Sequence, residues 1–243
     1  MRMLSAEDLL AVWERGLERR PFERALLFLE AASLEGPARS PASMSIGDRD
    51  DMLLKLREQV FGIDLSILAP CPQCREQLES TLQTSDLRGE PTTLHDLDVA
   101  FGLDEYTFRF RAPNSEDIAA CASMETGSMS LRLLRRCMTD VRRDGRFVPV
   151  EELSDHVIDA AAEKAVQQVS GGGLQITLTC PACAFQWEEP FDIVSFFWME
   201  TDAWARRLLR DVHALASSYG WAEHEILALS PLRRERYLEM IGR

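Results

Sequence analysis

The chain has no apolar run long enough to cross a lipid bilayer. Its longest apolar stretches, such as residues 193–199, are far shorter than the roughly 20 residues that a membrane helix needs. The first residues, Met1 to Ser5, also lack the apolar segment of a secretory signal peptide. We therefore expect a protein that does not bind membranes and that folds in the reducing cytoplasm.

The sequence also lacks a surplus of basic residues. Its 27 Lys and Arg face 40 Asp and Glu, which gives a net charge of -13 and a pI of about 4.8. Nucleic-acid binding needs a basic face, so this balance argues against it. The one local exception is a basic group formed by Arg233, Arg234 and Arg236. With 46% apolar residues in 243, the chain is long enough to bury a sizeable core, as one large domain or two small ones.

Motifs of common enzyme classes are missing as well. There is no Walker A loop and no G-x-S-x-G elbow, and the glycines at 171–173 lack the Lys and Ser/Thr of a phosphate loop. His224-Glu225 begins like a zinc protease motif, but Ala228 stands where the second His would be. The other histidines, His95, His156 and His213, stand alone. An enzyme, for example a metal hydrolase, is therefore not favoured.

Four of the six cysteines form two C-x2-C pairs. Cys71-Pro72-Gln73-Cys74 and Cys180-Pro181-Ala182-Cys183 both have the Cys-Pro-x-Cys pattern of a metal knuckle at a hairpin tip. Because a reducing cytoplasm disfavours disulfides, the two pairs predict a metal site. Four thiolates match a tetrahedral structural zinc site without an open coordination position, and iron is the alternative metal for the same shell.

Two details qualify the knuckle pattern. Knuckles often have Gly directly after the second Cys, where the backbone turns tightly, but this chain has Arg75 and Ala184 there. The remaining cysteines, Cys121 and Cys137, fall in predicted helices without ligands at suitable spacing. We expect them to be small buried core residues.

Periodicity around the knuckles predicts an α+β fold. Strand-like alternation flanks both pairs, while the regions outside and between them contain helical patterns. The predicted organisation is an N-terminal helical region at 1–62, two arms of a zinc ribbon at 63–84 and 174–191, an α+β insertion at 90–170, and a C-terminal helical region at 192–243. Within the insertion we predict a hairpin of 94–101 and 106–111, and helices at 115–120, 131–141 and from 154 onward. Helices at 193–219, 222–229 and 232–241 follow the second arm.

The C-terminal region is rich in aromatic residues. Phe196, Phe197 and Trp198 cover more than one face of a helix, so most of this surface should pack in a core while part of it faces a partner. We predict a partner-binding surface made of Trp198, Trp204, Trp221 and Tyr237.

Several segments together resemble a known family. They are Ile46-Gly47-Asp48-Arg49, the two knuckles, Arg111-Ala112-Pro113-Asn114-Ser115-Glu116-Asp117, Phe191-Asp192-Ile193, Phe197-Trp198-Met199-Glu200, Ala203-Trp204-Ala205-Arg206-Arg207-Leu208-Leu209, Val212-His213, Tyr219-Gly220-Trp221 and Ile226-Leu227-Ala228-Leu229-Ser230. These segments resemble the T4-type phage baseplate protein family, which also occurs in phage-tail-like contractile injection systems. The resemblance covers most of the chain from about residue 45 onward.

The resemblance implies a non-enzymatic role in building a contractile-tail baseplate, with hub or wedge proteins as partners. The chain would then be found in the bacterial cytoplasm during assembly, as a chaperone or adaptor, or in the virion or injection particle as a subunit. Zinc is inferred from the cysteines of this sequence, not from the family. The alternative interpretation is a nucleic-acid-binding zinc-ribbon protein. The acidic net charge argues against it, and so does the presence of only one basic residue, Arg75, next to the knuckles.

Overall fold

The computed structural model describes residues 1–33, 40–87, 99–123, 128–168 and 174–242, without the side chains of 166–168. The chain divides into two compact units. The first unit combines the two ends of the chain, Met1–Leu34 and Val194–Arg243, and the second is Glu35–Ile193.

The first unit is helical. Its helix α1 begins with a capping box, in which the Ser5 hydroxyl accepts from the Asp8 N–H while the Asp8 carboxylate accepts from the Ser5 N–H. Pro21 is the first residue of α2, a position where the missing N–H costs nothing. The helices are α1 (Ala6–Gly16), α2 (Pro21–Ala32), α8 (Ile193–Tyr219), α9 (Glu223–Leu227) and α10 (Pro231–Met240).

Apolar side chains at helical spacing form the core of this unit. The rings of Phe28 and Phe197 stack with their centroids 4.1 Å apart. A second group of buried residues joins α1, α8 and α9. It consists of Leu10, Ala205, Leu208, Val212, Leu215 and Ile226.

The second unit is a mixed α+β structure with small antiparallel sheets. Two short 3-10 helices lie at Pro41–Ser43 and at Val150–Glu152. The remaining elements are α3 (Ile46–Phe61), β1 (Asp64–Pro70), β2 (Gln77–Gln83), α4 (Thr84–Leu87), β3 (Val99–Leu103), β4 (Tyr106–Phe110), α5 (Ser115–Ala122), α6 (Met129–Cys137), β5 (Met138–Arg143), β6 (Arg146–Phe147), α7 (Asp155–Gln168), β7 (Gln175–Thr179) and β8 (Gln186–Pro190).

Two hairpins carry the knuckles. Strand β1 pairs with β2 along its whole length, and β7 pairs with β8 in the same antiparallel manner. The alternation seen in the sequence matches burial, since Leu65 and Ala69 are buried in one hairpin and Ile176 and Leu178 in the other. This arrangement is compatible with a zinc ribbon.

The part of the chain between the hairpins contains a four-stranded sheet in the order β3-β4-β5-β6. Phe108 and Val141, which face each other across β4 and β5, are fully buried, and Ile158 and Ala161 from α7 belong to the same core.

The predicted helix at 131–141 is correct only for its first part. The structure ends α6 at Cys137, and 138–141 belong to strand β5. The apolar residues Met138 and Val141 fit either period in so short a segment. Pairing with β4 decides the outcome, because it gives these backbone groups ladder partners and buries both side chains.

Two segments that carry the family resemblance lie side by side in the second unit. The Ile46 N–H donates to the Pro113 carbonyl (2.9 Å), and Ser45 and Asn114 form an isolated β-bridge. The guanidinium of Arg49, which is 5% exposed, donates to the Ser115 hydroxyl at 3.2 Å. The starts of α3 and α5 are therefore fixed to each other.

Some predicted features fall on residues that are not described. These are His95 with the first half of the predicted strand 94–101, and the glycines at 171–173. Among the described helices, none combines the length and the apolar character needed to span a membrane.

Candidate metal centre

The two knuckles have the same backbone geometry. In the first, the Cys71 N–H donates to the Glu76 carbonyl (2.8 Å) and the Arg75 N–H donates back to the Cys71 carbonyl (2.9 Å). In the second, the Cys180 N–H donates to the Phe185 carbonyl and the Ala184 N–H to the Cys180 carbonyl, both at 2.9 Å. Each hairpin therefore ends in a tight turn that directs two cysteines to one side.

The tight turn after each cysteine pair requires left-handed backbone. Arg75 has φ 64° and Ala184 has φ 60°, although neither is glycine. This conformation costs a residue with a Cβ on the order of 1 kcal/mol. The two turns are thus strained at equivalent positions, as the missing glycines in the sequence suggested.

The four sulfur atoms converge. The Sγ atoms of Cys71 and Cys183 are 3.7 Å apart, those of Cys74 and Cys180 are 3.6 Å apart, and all four lie within 4.8 Å of one another. A disulfide needs sulfurs about 2.05 Å apart, so the pairs are not positioned as disulfides. A tetrahedron with Zn–S bonds of about 2.3 Å has sulfur atoms about 3.8 Å apart. The donor set and its spacing therefore fit a zinc ion, and a four-cysteine metal site of this kind could also hold iron.

The four cysteines differ in their exposure and in the pKa of their thiols. Cys71 and Cys180 are each 1% exposed, whereas Cys74 lies at the surface. Burial raises the pKa of Cys71, but hydrogen bonds from the N–H groups of Cys74 and Gln73 lower it more, to about 7. The N–H of Phe185 lowers the pKa of Cys183, yet burial and the neighbouring thiols raise it to about 12. A metal ion must therefore displace protons from this cluster when it binds.

The other two cysteines are core residues. Cys121 is 1% exposed and Cys137 is 5% exposed. Burial raises the pKa of Cys137 to about 11, which keeps its thiol protonated and unreactive. In the described ranges, no further group of three or more His, Cys, Asp or Glu side chains is arranged for a metal ion.

The four predicted partner-binding aromatics lie in the first unit at different depths. Trp198 is 9% exposed, with the Arg24 guanidinium 4.1 Å from its ring centre. Gly16 also lies so close to this side chain that a Cβ there would be 2.5 Å from the Trp198 ring. Little of the Trp198 ring reaches the surface, and its predicted part in partner binding remains a prediction.

The other three aromatics pack against one core cluster. Trp204, Trp221 and Tyr237 are all half-buried there. Trp221 and Tyr237 meet edge to face with centroids 4.9 Å apart, and Tyr219 stacks on Trp221 at 4.6 Å. The structure thus brings Trp221 and Tyr237 together, with Tyr219 as a third member that the sequence prediction did not include.

Two exposed apolar residues lie on the same helix as Tyr237 and were not among the predicted partner-binding residues. Leu232 is 63% exposed and Met240 is 73% exposed, both on α10 next to Tyr237. Their helical spacing resembles that of core residues, so neither residue could be assigned to the surface from the sequence. In this helix the sequence pointed to Tyr237 and to the basic group around Arg233, and to no other surface residue.

The fold and the cysteine cluster together define an α+β protein with a candidate structural metal centre. A family model described as T4 bacteriophage base plate protein matches residues 29–198, which is more than half of the chain and includes both knuckles. The chain belongs to this family of phage baseplate proteins. No curated protein and no solved structure matches it.

Proposed function

We propose that this chain is a non-enzymatic structural or assembly protein of a contractile, phage-tail-like baseplate, held together by a structural zinc ion. The observation that carries the proposal is the convergence of four thiols from two distant knuckles inside the segment that matches the baseplate family. A closed four-thiolate shell has no open position for substrate, which supports a scaffold role.

Each region of the chain then has its own task. Residues 63–84 and 174–191 form a zinc ribbon that holds the insertion at 90–170. The helical regions at 1–62 and 192–243 complete the protein, and the aromatic residues of the latter contact hub or wedge proteins. A bound zinc ion would neutralise part of the charge of the four thiolates and would link the two hairpins rigidly.

The alternative, a ribbon that binds nucleic acid, has no support in the hairpins. Arg75 is the only basic residue in 64–83, and 175–190 contain none. Strands β2 and β8 instead expose acidic residues, such as Glu79 and Glu188. A gel shift at low salt that weakens steeply as salt rises would revive this alternative.

The metal is tested by elemental analysis of the purified full-length chain, followed by chelation. We expect one zinc per chain. After confirmed metal loss, amide hydrogen exchange should increase at Cys71 and Cys180, whose N–H groups close the knuckles. If the analysis finds iron instead of zinc, the metal is iron. If amide exchange and melting temperature are unchanged after metal loss, the metal has no structural role.

The baseplate role is tested by purifying the tagged chain from its native host during tail production. Sedimentation separates finished particles from soluble complexes, and mass spectrometry identifies the proteins in each. Baseplate proteins in the soluble fraction alone would establish a chaperone, and the chain in intact particles would establish a subunit. Tail proteins in neither fraction would contradict the proposed role.

A further inference from the structure

The outer side of helix α10 carries apolar and basic residues together. Residues 232, 233, 236, 237 and 240 repeat at helical spacing and line one depression of about 490 Å³. The opposite side of α10 faces the core, where Arg234 is 7% exposed and Leu238 and Ile241 pack. We define the outer patch as Ser230, Leu232, Arg233, Arg236, Tyr237 and Met240.

The composition of the outer patch is that of an interface centre. Aromatic residues, Met and Arg are enriched in such centres, and Met adapts its shape to a partner. Tyr237 is held in place by Trp221 at 4.9 Å and Tyr219 at 5.7 Å, so its ring is preorganised. A rigid aromatic side chain loses little entropy on binding.

The charge of the outer patch is opposite to that of the molecule. Acidic and basic residues nearly balance in the first unit, so almost all of the net charge of -13 resides in the second unit. The lining residues of the depression include two arginines and no acid. Arg233 is exposed and has no ion pair within the described residues, while Arg236 pairs with Glu239 of its own helix at 2.9 Å.

We propose that the outer patch is the docking site for an acidic amphipathic helix of another baseplate protein. Leu232 and Met240 are eight residues apart, about 12 Å along α10, which matches two turns of a helix lying against them. Apolar side chains of the incoming helix enter the depression, and its carboxylates pair with Arg233 and Arg236. This inference rests on the proposed baseplate function and specifies its partner surface.

The test uses the full-length chain with a photo-crosslinking amino acid at position 240, produced in the native host during tail assembly. A matched probe at Met199, which is 61% exposed on α8, serves as the control. Met199 is 20 residues before Tyr219 on α8, about 30 Å along that helix from the aromatic residues beside the outer patch. We expect position 240, but not 199, to crosslink to an acidic amphipathic segment of a tail protein.

The crosslinked segment is then synthesised as a peptide, and its binding to the full-length chain is measured by fluorescence anisotropy. Arg233→Glu and Arg236→Glu should each weaken binding about tenfold or more, since each removes a charge-assisted contact. Arg207→Glu, an equal charge change at an exposed position of α8, should leave the binding affinity within about twofold of the unchanged protein. Melting curves of all three variants confirm that they fold.

The outcomes separate the two proposals. Crosslinks from position 199 to tail proteins without any from 240 would overturn the outer patch but keep the baseplate function. Crosslinks from 240 to a second copy of this chain, or to a segment without acidic residues, would also overturn the proposed occupant. If the tagged chain itself purifies without tail proteins, the baseplate function fails.

Discussion

Asp117 illustrates how one residue can hold several elements of the second unit. Its carboxylate is 1% exposed and accepts hydrogen bonds from the guanidinium groups of Arg111 and Arg136 and from the Asn114 N–H. Burial raises the pKa of Asp117, but the bonds from Arg111 and Asn114 lower it more, so it lies below its usual range. The charged form of Asp117 therefore stabilises the fold.

Replacing this charge should destabilise the protein in a pH-dependent way. Asp117→Asn keeps the shape and removes the charge, and we expect a loss of about 2 kcal/mol at pH 7, less than for a fully buried pair because both arginines are partly exposed. Since the folded pKa is lowered, the stabilisation is present above about pH 4 and is lost as pH falls through the folded pKa. Urea unfolding of both proteins at pH 7 and at pH 3 measures the difference in their free energy of unfolding at each pH.

Asp140→Asn provides the matched control for this charge removal. Asp140 pairs with Arg142 at 2.9 Å, but both side chains are well exposed, so we expect a change below about 0.5 kcal/mol. An equal loss for both variants, or a cost at Asp117 that does not shrink at pH 3, would show that the buried charge does not stabilise the fold.

At the scale of the elements, the two knuckle turns share an uncommon backbone conformation. Arg75 and Ala184 hold left-handed backbone that glycine adopts at no steric cost. We expect Arg75→Gly and Ala184→Gly each to stabilise the metal-loaded protein by about 0.5–1 kcal/mol in urea unfolding.

The same loops contain suitable controls. Gln73 and Ala182 lie between the cysteines and do not have positive φ, so Gln73→Gly and Ala182→Gly only add freedom to the unfolded chain. The free energy of unfolding of these variants should fall by about 0.5 kcal/mol. If glycine at 75 or 184 destabilises as much as at 73 or 182, the left-handed turns store no strain.

At the scale of the whole molecule, the candidate metal site brings together cysteines that residues 75–179 separate in the chain. A crosslink closing a loop of this length stabilises by about 4–5 kcal/mol in the chain-entropy model for disulfides, and a shared metal would act similarly. Cys71→Ser and Cys183→Ser should therefore lower metal content and melting temperature to similar extents, because either leaves three thiolates.

Cys121→Ala is the control for these cysteine variants. It removes a buried sulfur outside the cluster, so it should cost about 1 kcal/mol and leave the zinc stoichiometry unchanged. A stable, metal-loaded Cys183→Ser protein beside an insoluble Cys71→Ser protein would contradict a shared site. Two separate sites would then explain the cysteine pairs.

The sequence by itself determined the features that depend on local pattern. The predicted helix at 193–219 coincides with α8, and strands β1, β2, β7 and β8 all lie within the predicted ribbon arms at 63–84 and 174–191. An amphipathic helix or an alternating strand buries one face, so the spacing of its apolar residues identifies the element even when the segment it packs against is unknown. The two cysteine pairs likewise identified the four residues whose sulfurs converge.

Only the tertiary structure decided which contacts distant residues make. Pairing of β5 with β4 ends α6 at Cys137, and tertiary contacts place residues 45–49 beside 113–115. Packing also buries Trp198, whereas Leu232 and Met240 stay exposed. Each of these outcomes depends on which surface packs against which, and residue type and spacing are nearly the same for a core side chain and an interface side chain. That choice is made by long-range burial, which no local period encodes.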